Sequence, residues 1–149
     1  MPTTLLTPHF TLEEMVASQT AAREGIPNQP DEQSMIELRR TCEVLELVRD
    51  LLGAKPILIS SGYRGPQLNA VIGGSTTSQH MTGQAADFTC PGFGSVTEIC
   101  HAIMKSSIPY DQLIHEYDSW VHISQAGIGK KGRRQNLTIN NSGTTSGIA

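Results

Sequence analysis

The sequence has no long apolar run, and this absence excludes one class of protein at once. A helix that crosses a bilayer needs about 18 to 20 consecutive apolar residues, and none of the 149 residues lies in such a stretch. Residues 1–9 contain neither a basic segment nor an apolar core, so an ordinary secretory signal is not predicted. We therefore expect a protein that is made in the cytoplasm without a signal peptide and does not insert into a membrane.

Aromatic residues are also scarce, at 5% of the chain, which disfavours the stacking surfaces that bind single-stranded nucleic acids. Residues 1–129 carry all 14 acidic side chains and 7 of the 11 basic ones, a net charge of −7. An acidic body argues against a dedicated nucleic-acid binder, and no nucleic-acid partner is expected. The basic segment 130–134 is typical of a solvated surface, and less often of contact with an anionic polymer such as a cell wall.

Cysteine is the third scarce residue. Cys42, Cys90 and Cys100 are an odd number and have no CxxC spacing, which disfavours both a disulfide framework and a structural zinc knuckle. Cys42 and Cys100 fall on apolar faces of predicted helices. We expect them to be small buried side chains in a chain that folds in a reducing compartment.

The predicted elements are mostly helices first and strands later. An apolar stripe with a period of 3.6 residues predicts a long helix over residues 31–52. Capping boxes, or a proline in the first turn, begin shorter helices over residues 10–17, 66–72 and 95–106. Short runs rich in β-branched residues predict strands over residues 55–61, 85–90, 111–117, 120–124 and 135–139.

This order indicates an α+β fold with a small, mainly antiparallel sheet and helices packed on one of its faces. The length corresponds to about one domain, which we predict over residues 1–139. Residues 140–149 consist almost entirely of small and polar residues. They are predicted to form a flexible polar tail.

Three polar residues, His80, Asp87 and His122, carry the predicted chemistry. Asp87 and His122 lie within apolar strand segments, where an unpaired polar group has a high desolvation cost. Two imidazoles and one carboxylate suit zinc and leave a fourth position for water, as in catalytic rather than structural sites. On spacing alone, a satisfied core histidine and a capping aspartate are the commoner explanations, because a sequence does not show that the three side chains meet.

The segment 78–87, SQHMTGQAAD, resembles the SxHxxGxAxD motif of the zinc D-Ala-D-Ala carboxypeptidase family. The segment SGYR at 61–64 resembles an upstream segment of that family, and Glu116 with WVH at 120–122 resembles its closing acid and last strand. The family includes vancomycin-resistance dipeptidases and phage endolysins that are L-Ala-D-Glu peptidases, and the hedgehog signalling domain shares its metal site. The resemblance extends from about residue 10 to residue 137.

The resemblance implies a hedgehog-like and D-Ala-D-Ala-peptidase-like fold with one zinc ion per chain, bound by His80, Asp87 and His122. It implies a hydrolase that cleaves peptidoglycan stem peptides, as a D-Ala-D-Ala carboxypeptidase or an L-Ala-D-Glu endopeptidase of phage or prophage origin. Arg64 would bind the carbonyl oxygen or a carboxylate of the substrate, and Ser78 would line the substrate site. Such a protein would act at the bacterial cell wall after its release from the cell.

We predict that Glu116 is the catalytic base. Many family members have an acid three residues before the last histidine, where this sequence has Ser119. Glu116 lies six residues before His122, as in the hedgehog-type arrangement. Asp118 is the alternative base, although turn geometry also explains an aspartate there.

The turn of the predicted hairpin decides which side chain lies opposite His122. A three-residue turn at 118–120 would place Glu116 there, whereas a two-residue turn at 118–119 would place His115 there. We favour Glu116, because a histidine that faced the zinc would compete for its open position.

A second possible function belongs to a different class. A non-catalytic zinc module could bind wall peptides or form part of a phage particle. Loss of the catalytic acid would favour this hypothesis. Glu116, at the alternative spacing, favours the peptidase.

Overall fold

The computed structural model describes residues 3–149, so residues 1 and 2 of the predicted domain lie outside the described residues. Two short strands, β1 (Leu5–Thr7) and β2 (Phe10–Thr11), pair with each other near the start. The α-helices of this described part are α1 (Leu12–Val16), α2 (Gln19–Glu24), α3 (Glu32–Leu51), α4 (Pro66–Ile72) and α5 (Val96–Met104). The main sheet contains β3 (Leu58–Ser61), β4 (Ala85–Thr89), β5 (Gln112–Glu116), β6 (Trp120–Ser124), β7 (Gln135–Asn140) and β8 (Gly143–Ser146). A 3-10 helix, Gln79–Thr82, precedes β4.

The long helix α3 forms where the apolar stripe predicts it. Asp31 caps its N-terminus and accepts a hydrogen bond from the main-chain N–H of Ser34. The stripe residues Leu38, Cys42 and Leu45 are fully buried. Burial of one face therefore determines how this helix packs.

The N-terminal region contains two short helices, whereas the sequence predicts one. The predicted capping box of Thr11 and Glu14 is present at the start of α1. Helix α2 is not among the predicted elements. It begins at a second cap, where Ser18 accepts a hydrogen bond from the main-chain N–H of Ala21. Gly25, with φ of 65°, ends it in the left-handed conformation that glycine favours.

The strands of the main sheet lie in the order β3-β4-β6-β5-β7-β8. All neighbouring strands are antiparallel except β5 and β7, which are parallel. The predicted α+β fold with a mainly antiparallel sheet is thus confirmed. The strand predicted over residues 55–61 is present as β3, which lies at an edge of the sheet and leaves Leu58 53% exposed.

The sheet separates an apolar face from a polar one. Ala86 and Phe88 of β4 and Val121 and Ile123 of β6 are fully buried in one core cluster with residues of α3 and α5. Because side chains alternate along a strand, the residues between them project to the opposite face. The helices α3 and α5 therefore cover one face, and Asp87 and His122 lie on the other.

The last residues form a hairpin, which differs from the predicted flexible tail over residues 140–149. Strand β8 pairs with β7 through a two-residue connection between Asn140 and Gly143. Ile148 packs against the core cluster. All residues of β8 are exposed, so no apolar alternation indicated a strand there.

Cys42 and Cys100 are buried, as expected, and Cys90 is buried as well; all three thiols are free. Burial raises the pKa of the Cys42 and Cys100 thiols to about 12. Both therefore stay protonated and behave as apolar core residues. None of the helices in residues 3–149 combines the length and the apolar character that a bilayer crossing requires.

Candidate active site

The structure brings His80, Asp87 and His122 together in one buried cluster. Asp87 of β4 and His122 of β6 are direct partners in adjacent strands. Asp87 Oδ1 lies 2.9 Å from His122 Nδ1 and 3.2 Å from His80 Nε2. One nitrogen or oxygen from each of the three side chains lies within 4.8 Å of the others. The sheet and the 3-10 helix therefore assemble the predicted ligand set.

A close approach between the motif and α3 positions His80. Gly83 ends the 3-10 helix with φ of 79°, a conformation that favours glycine. A Cβ at Gly83 would also collide with the main-chain oxygen of Ser34 in α3. Thr41 of α3 donates a hydrogen bond to the Gly83 carbonyl over 2.7 Å. The glycine of the motif thus allows the 3-10 helix to lie directly on α3.

The tautomer of His80 is determined by a main-chain carbonyl. His80 Nδ1 lies 2.7 Å from the oxygen of Gly62, and a carbonyl oxygen only accepts. Nδ1 therefore carries a proton, and Nε2 is the ring nitrogen that faces Asp87 and that a metal ion would use. Gly62 belongs to the SGYR segment, so this segment supports the histidine of the second motif.

The three residues fit a zinc ion. Two imidazole nitrogens and one carboxylate oxygen are a donor set that zinc accepts, and the donor atoms already converge in a buried position. Burial raises the pKa of Asp87, but the charges and hydrogen bonds of His80 and His122 outweigh it and hold the pKa well below its usual range. Asp87 is therefore ionised, as a metal ligand must be.

Glu116 lies on the same face of the sheet as His122, in a register that neither predicted turn produces. The connection is a three-residue loop, 117–119, in which Tyr117 and Asp118 have φ of 55° and 52°. Glu116 pairs with Trp120, and Ile114 pairs with His122. This register differs by two residues from the predicted pairing of Glu116 with His122, and a shift of two keeps a side chain on its face.

The surroundings of Glu116 make its carboxylate more basic than usual. Its Oε1 lies 3.8 Å from His122 Nδ1, and its Oε2 accepts a hydrogen bond of 3.1 Å from the indole N–H of Trp120. Burial, followed by the negative charge of Asp87, raises the pKa of Glu116, although the imidazoles and the indole oppose this change. A raised pKa suits a carboxylate that accepts a proton.

The alternative base, Asp118, lies outside the cluster. Its side chain is 79% exposed and lies 3.1 Å from His115 Nε2. His115 also contacts the Thr97 hydroxyl of α5 at 3.2 Å, on the helix-covered face of the sheet. Neither Asp118 nor His115 approaches the three candidate ligands.

Arg64 and Ser78 line the same cavity as the three candidate ligands and Glu116, and this cavity has a volume of about 590 Å³. Arg64 Nη2 lies 3.4 Å from the Ser78 hydroxyl. Ser78 also caps the 3-10 helix, since its hydroxyl accepts a hydrogen bond from the His80 main-chain N–H at 3.2 Å. The roles of Arg64, Ser78 and Glu116 stay predictions, and the three side chains line one cavity.

Trp120 and Arg133 also line this cavity, and the sequence predicts no site role for either of them. Trp120 belongs to the WVH segment, and only the observed hairpin register places its indole beside Glu116. Arg133 belongs to the basic segment 130–134. Its ion pair with Asp111 spans 22 residues, and no local signal in the sequence indicates it.

Comparison with known proteins agrees with this geometry. A sequence profile of the family described as Peptidase M15 matches residues 8–124, most of the chain. The chain belongs to the peptidase M15 family. This membership confirms the family resemblance, and the donor set of the site fits the zinc ion that the resemblance implies. The assignment of individual ligands stays a prediction.

One relative of this peptidase M15 member is the zinc D-Ala-D-Ala carboxypeptidase of Streptomyces albus G. The two are 42% identical over 43 residues, which cover 29% of the present chain and 17% of the relative. The chain thus matches only a small part of that relative's length.

Proposed function

We propose that this peptidase M15 member is a zinc-dependent hydrolase that cleaves peptidoglycan stem peptides at the bacterial cell wall. The observation that carries the proposal is the convergence of three buried candidate ligands and one buried carboxylate in a single cavity. The relative that acts on D-Ala-D-Ala supports a stem peptide as the substrate class. An origin in a phage or prophage, and an endolysin role, are finer parts of the proposal and rest on the resemblance of the motifs.

His80, Asp87 and His122 would hold the zinc ion through Nε2, a carboxylate oxygen and Nδ1. Zinc bound there supplies Lewis acidity, which polarises the scissile carbonyl and favours ionisation of the attacking water. The Gly62 carbonyl keeps His80 in the tautomer that binds metal. Asp87 contributes a negative charge, so the site attracts a cation.

Glu116 would move the proton. With its raised pKa, the carboxylate accepts a proton from the attacking water and donates it to the nitrogen of the leaving amine. Trp120 holds Oε2, and Oε1 remains on the side of His122. The proton acceptor is thereby held in place before the substrate arrives.

Arg64 would stabilise the negative charge that develops on the carbonyl oxygen. Its guanidinium is planar and always charged, and its main-chain N–H donates to the His80 carbonyl at 3.1 Å. Its buried Nε has no hydrogen-bond partner among the described residues. A donor fixed in place for an oxyanion is a general means of lowering the barrier to acyl transfer.

A second cavity of about 780 Å³ shares Arg64, Asp87 and Trp120 with the first. Asp87 therefore borders both cavities, and a peptide could extend from one cavity into the other past the candidate metal site. Carboxypeptidase and endopeptidase activity both remain within the proposal, since a short leaving group and a longer one can be accommodated.

Digestion of purified peptidoglycan, followed by mass spectrometry of the products, tests the proposal. Release of free D-alanine identifies a carboxypeptidase, and release of peptides from glycan strands identifies an endopeptidase. Glu116→Gln is the matched control, and its digest should resemble the untreated wall. Wall binding by the zinc-loaded protein without any cleaved bond would instead favour the non-catalytic module.

A further inference from the structure

The cavity at the candidate metal site contains a second arginine that the proposed mechanism does not use. Arg133 lies between β6 and β7 and lines the cavity together with Arg64 and Glu116. Its side chain is 59% exposed, so a molecule in the cavity can reach its guanidinium. This placement distinguishes it from the neighbouring Arg134, which lies over the Tyr110 ring and donates to main-chain carbonyls.

A buried carboxylate holds the Arg133 side chain in one orientation. Asp111 accepts hydrogen bonds from Arg133 Nε at 2.9 Å and from Nη2 at 2.8 Å, and from the Arg133 main-chain N–H at 3.1 Å. Gln79 of the 3-10 helix donates to the same carboxylate at 3.0 Å. Asp111 thus connects Arg133 to the segment that carries His80, and the guanidinium is fixed relative to the metal site.

The guanidinium edge formed by Nη1 and Nη2 can still donate hydrogen bonds to a ligand. A guanidinium has five N–H donors, and Asp111 uses one on Nε and one on Nη2. Among residues 3–149, no hydrogen-bond partner is seen for Nη1. Two parallel N–H groups on Nη1 and Nη2 match the two oxygens of a carboxylate.

Asp111 does not compete with such a ligand, because its side chain is 7% exposed and lies beneath Arg133 rather than in the cavity wall. The other charged side chains of the cavity are Arg64, Asp87 and Glu116. Asp87 and Glu116 belong to the candidate metal centre, so an anionic ligand group would be bound away from them, at Arg133.

We propose that Arg133 binds a carboxylate of the peptide substrate, and that Asp111 and Gln79 are positioning residues for its guanidinium. The proposal rests on the proposed function. The carboxylate has two possible sources in a stem peptide. One is the C-terminus beyond the cleaved bond, and the other is the free α-carboxylate of a D-glutamate residue that is linked through its side chain.

Steady-state kinetics on three matched stem peptides test this proposal: the acid, its C-terminal amide and its D-glutamate α-amide. The wild-type protein should show a KM roughly 10- to 100-fold higher for one of the two amides, as loss of a charge-assisted pair predicts. Arg133→Met should show the same loss on the acid, with kcat nearly unchanged. It should show no further loss on that amide, because the interaction is already absent.

Lys131→Met removes an exposed charge from the same segment and is the matched control. It should behave as the wild type on all three peptides. Arg133→Lys keeps the charge but not the fork, and it should recover only part of the affinity. Thermal unfolding and zinc content, measured on each variant, separate a misfolded protein from one that has lost only the carboxylate contact.

If each amidation changes KM by the same factor in the wild type and in Arg133→Met, the Arg133 proposal is overturned and the peptidase proposal stays intact. If the wild type cleaves no stem peptide, the peptidase proposal fails first. Calorimetric titration of the zinc-loaded protein with the same three peptides then decides. Binding that prefers the acid in the wild type but not in Arg133→Met supports the carboxylate site, and equal binding rejects it.

Discussion

Trp120 donates its indole N–H to Glu116 Oε2 over 3.1 Å, between two residues that are direct partners in the β5–β6 hairpin. The indole occupies one carboxylate oxygen, and the other lies 3.8 Å from His122 Nδ1. The hairpin thus positions the proposed base by a hydrogen bond that the observed register makes possible. We therefore expect Trp120 to position Glu116, and its N–H can be removed separately from its ring.

Trp120→Phe removes the N–H and keeps an aromatic ring in the cavity wall. We expect kcat to fall by roughly 10-fold, in line with the loss of one hydrogen bond to a charged group, with KM and zinc content near the wild-type values. Tyr117→Phe is the control, since Tyr117 packs on Trp120 at a ring distance of 5.6 Å but makes no hydrogen bond to Glu116. A wild-type kcat in Trp120→Phe would remove the positioning role.

Glu116→Gln keeps the shape of the side chain and removes the proton acceptor. The peptide-cleaving rate should fall by roughly 10²- to 10⁴-fold, the usual contribution of general acid–base catalysis, while zinc is retained. Asp118→Asn should change the rate little, because Asp118 is exposed and lies beside His115. Full activity in Glu116→Gln together with an inactive Asp118→Asn would assign the base to the loop.

His122→Ala should lose zinc as well as activity. Removal of one of three ligands leaves Asp87 and His80 only, too few for a site of this type. His115→Ala is the matched control from the same hairpin, and it should retain about one zinc per chain because His115 contacts Thr97 and Asp118 instead. Metal analysis of the purified variants measures both outcomes, and retention of zinc by His122→Ala would reject the ligand assignment.

The Asp111–Arg133 pair should make stability depend on pH. Hydrogen bonds from Arg133, only partly offset by burial, lower the pKa of Asp111 to about 2. A lowered pKa in the folded state gives a stabilisation that is complete above the unfolded pKa near 4 and is lost as the pH falls towards 2.

Asp111→Asn should therefore lower the free energy of unfolding by on the order of 2 kcal/mol at neutral pH. The difference from the wild type should shrink between about pH 4 and pH 2. Urea unfolding with a chelator in both samples measures this difference without a contribution from metal, and Asp118→Asn is the exposed control. A difference that stays constant across that range would mean that the pair does not carry the effect.

The parts of the fold that depend on local pattern were predictable from the sequence. The apolar stripe of α3 and the caps at Thr11 and Ser95 indicate their helices, and all three helices are present. The motif residues His80 and Asp87 were recognisable because the ten-residue segment 78–87 resembles a family motif. His122 completes the cluster because β4 and β6 are neighbours, a pairing that resemblance implies and that no local pattern shows.

The remaining features depend on interactions between distant residues. The loop at 117–119 places Tyr117 and Asp118 at positive φ without a glycine, so the sequence favoured other turns. Strand β8 has no buried side chain and gains its place from main-chain pairing with β7. From the sequence, Arg133 is expected to be a solvated residue, because its partner Asp111 is 22 residues away and only the fold brings the two together.

The most direct test of the central claim, a zinc peptidase centred on His80, Asp87 and His122, is a zinc titration of metal-free protein with cleavage of one stem peptide as the readout. We expect the metal-free protein to be inactive and the cleavage rate to rise with added zinc until one ion is bound per chain. Unchanged cleavage by the metal-free protein, or full zinc binding without cleavage of any stem peptide, would contradict that claim.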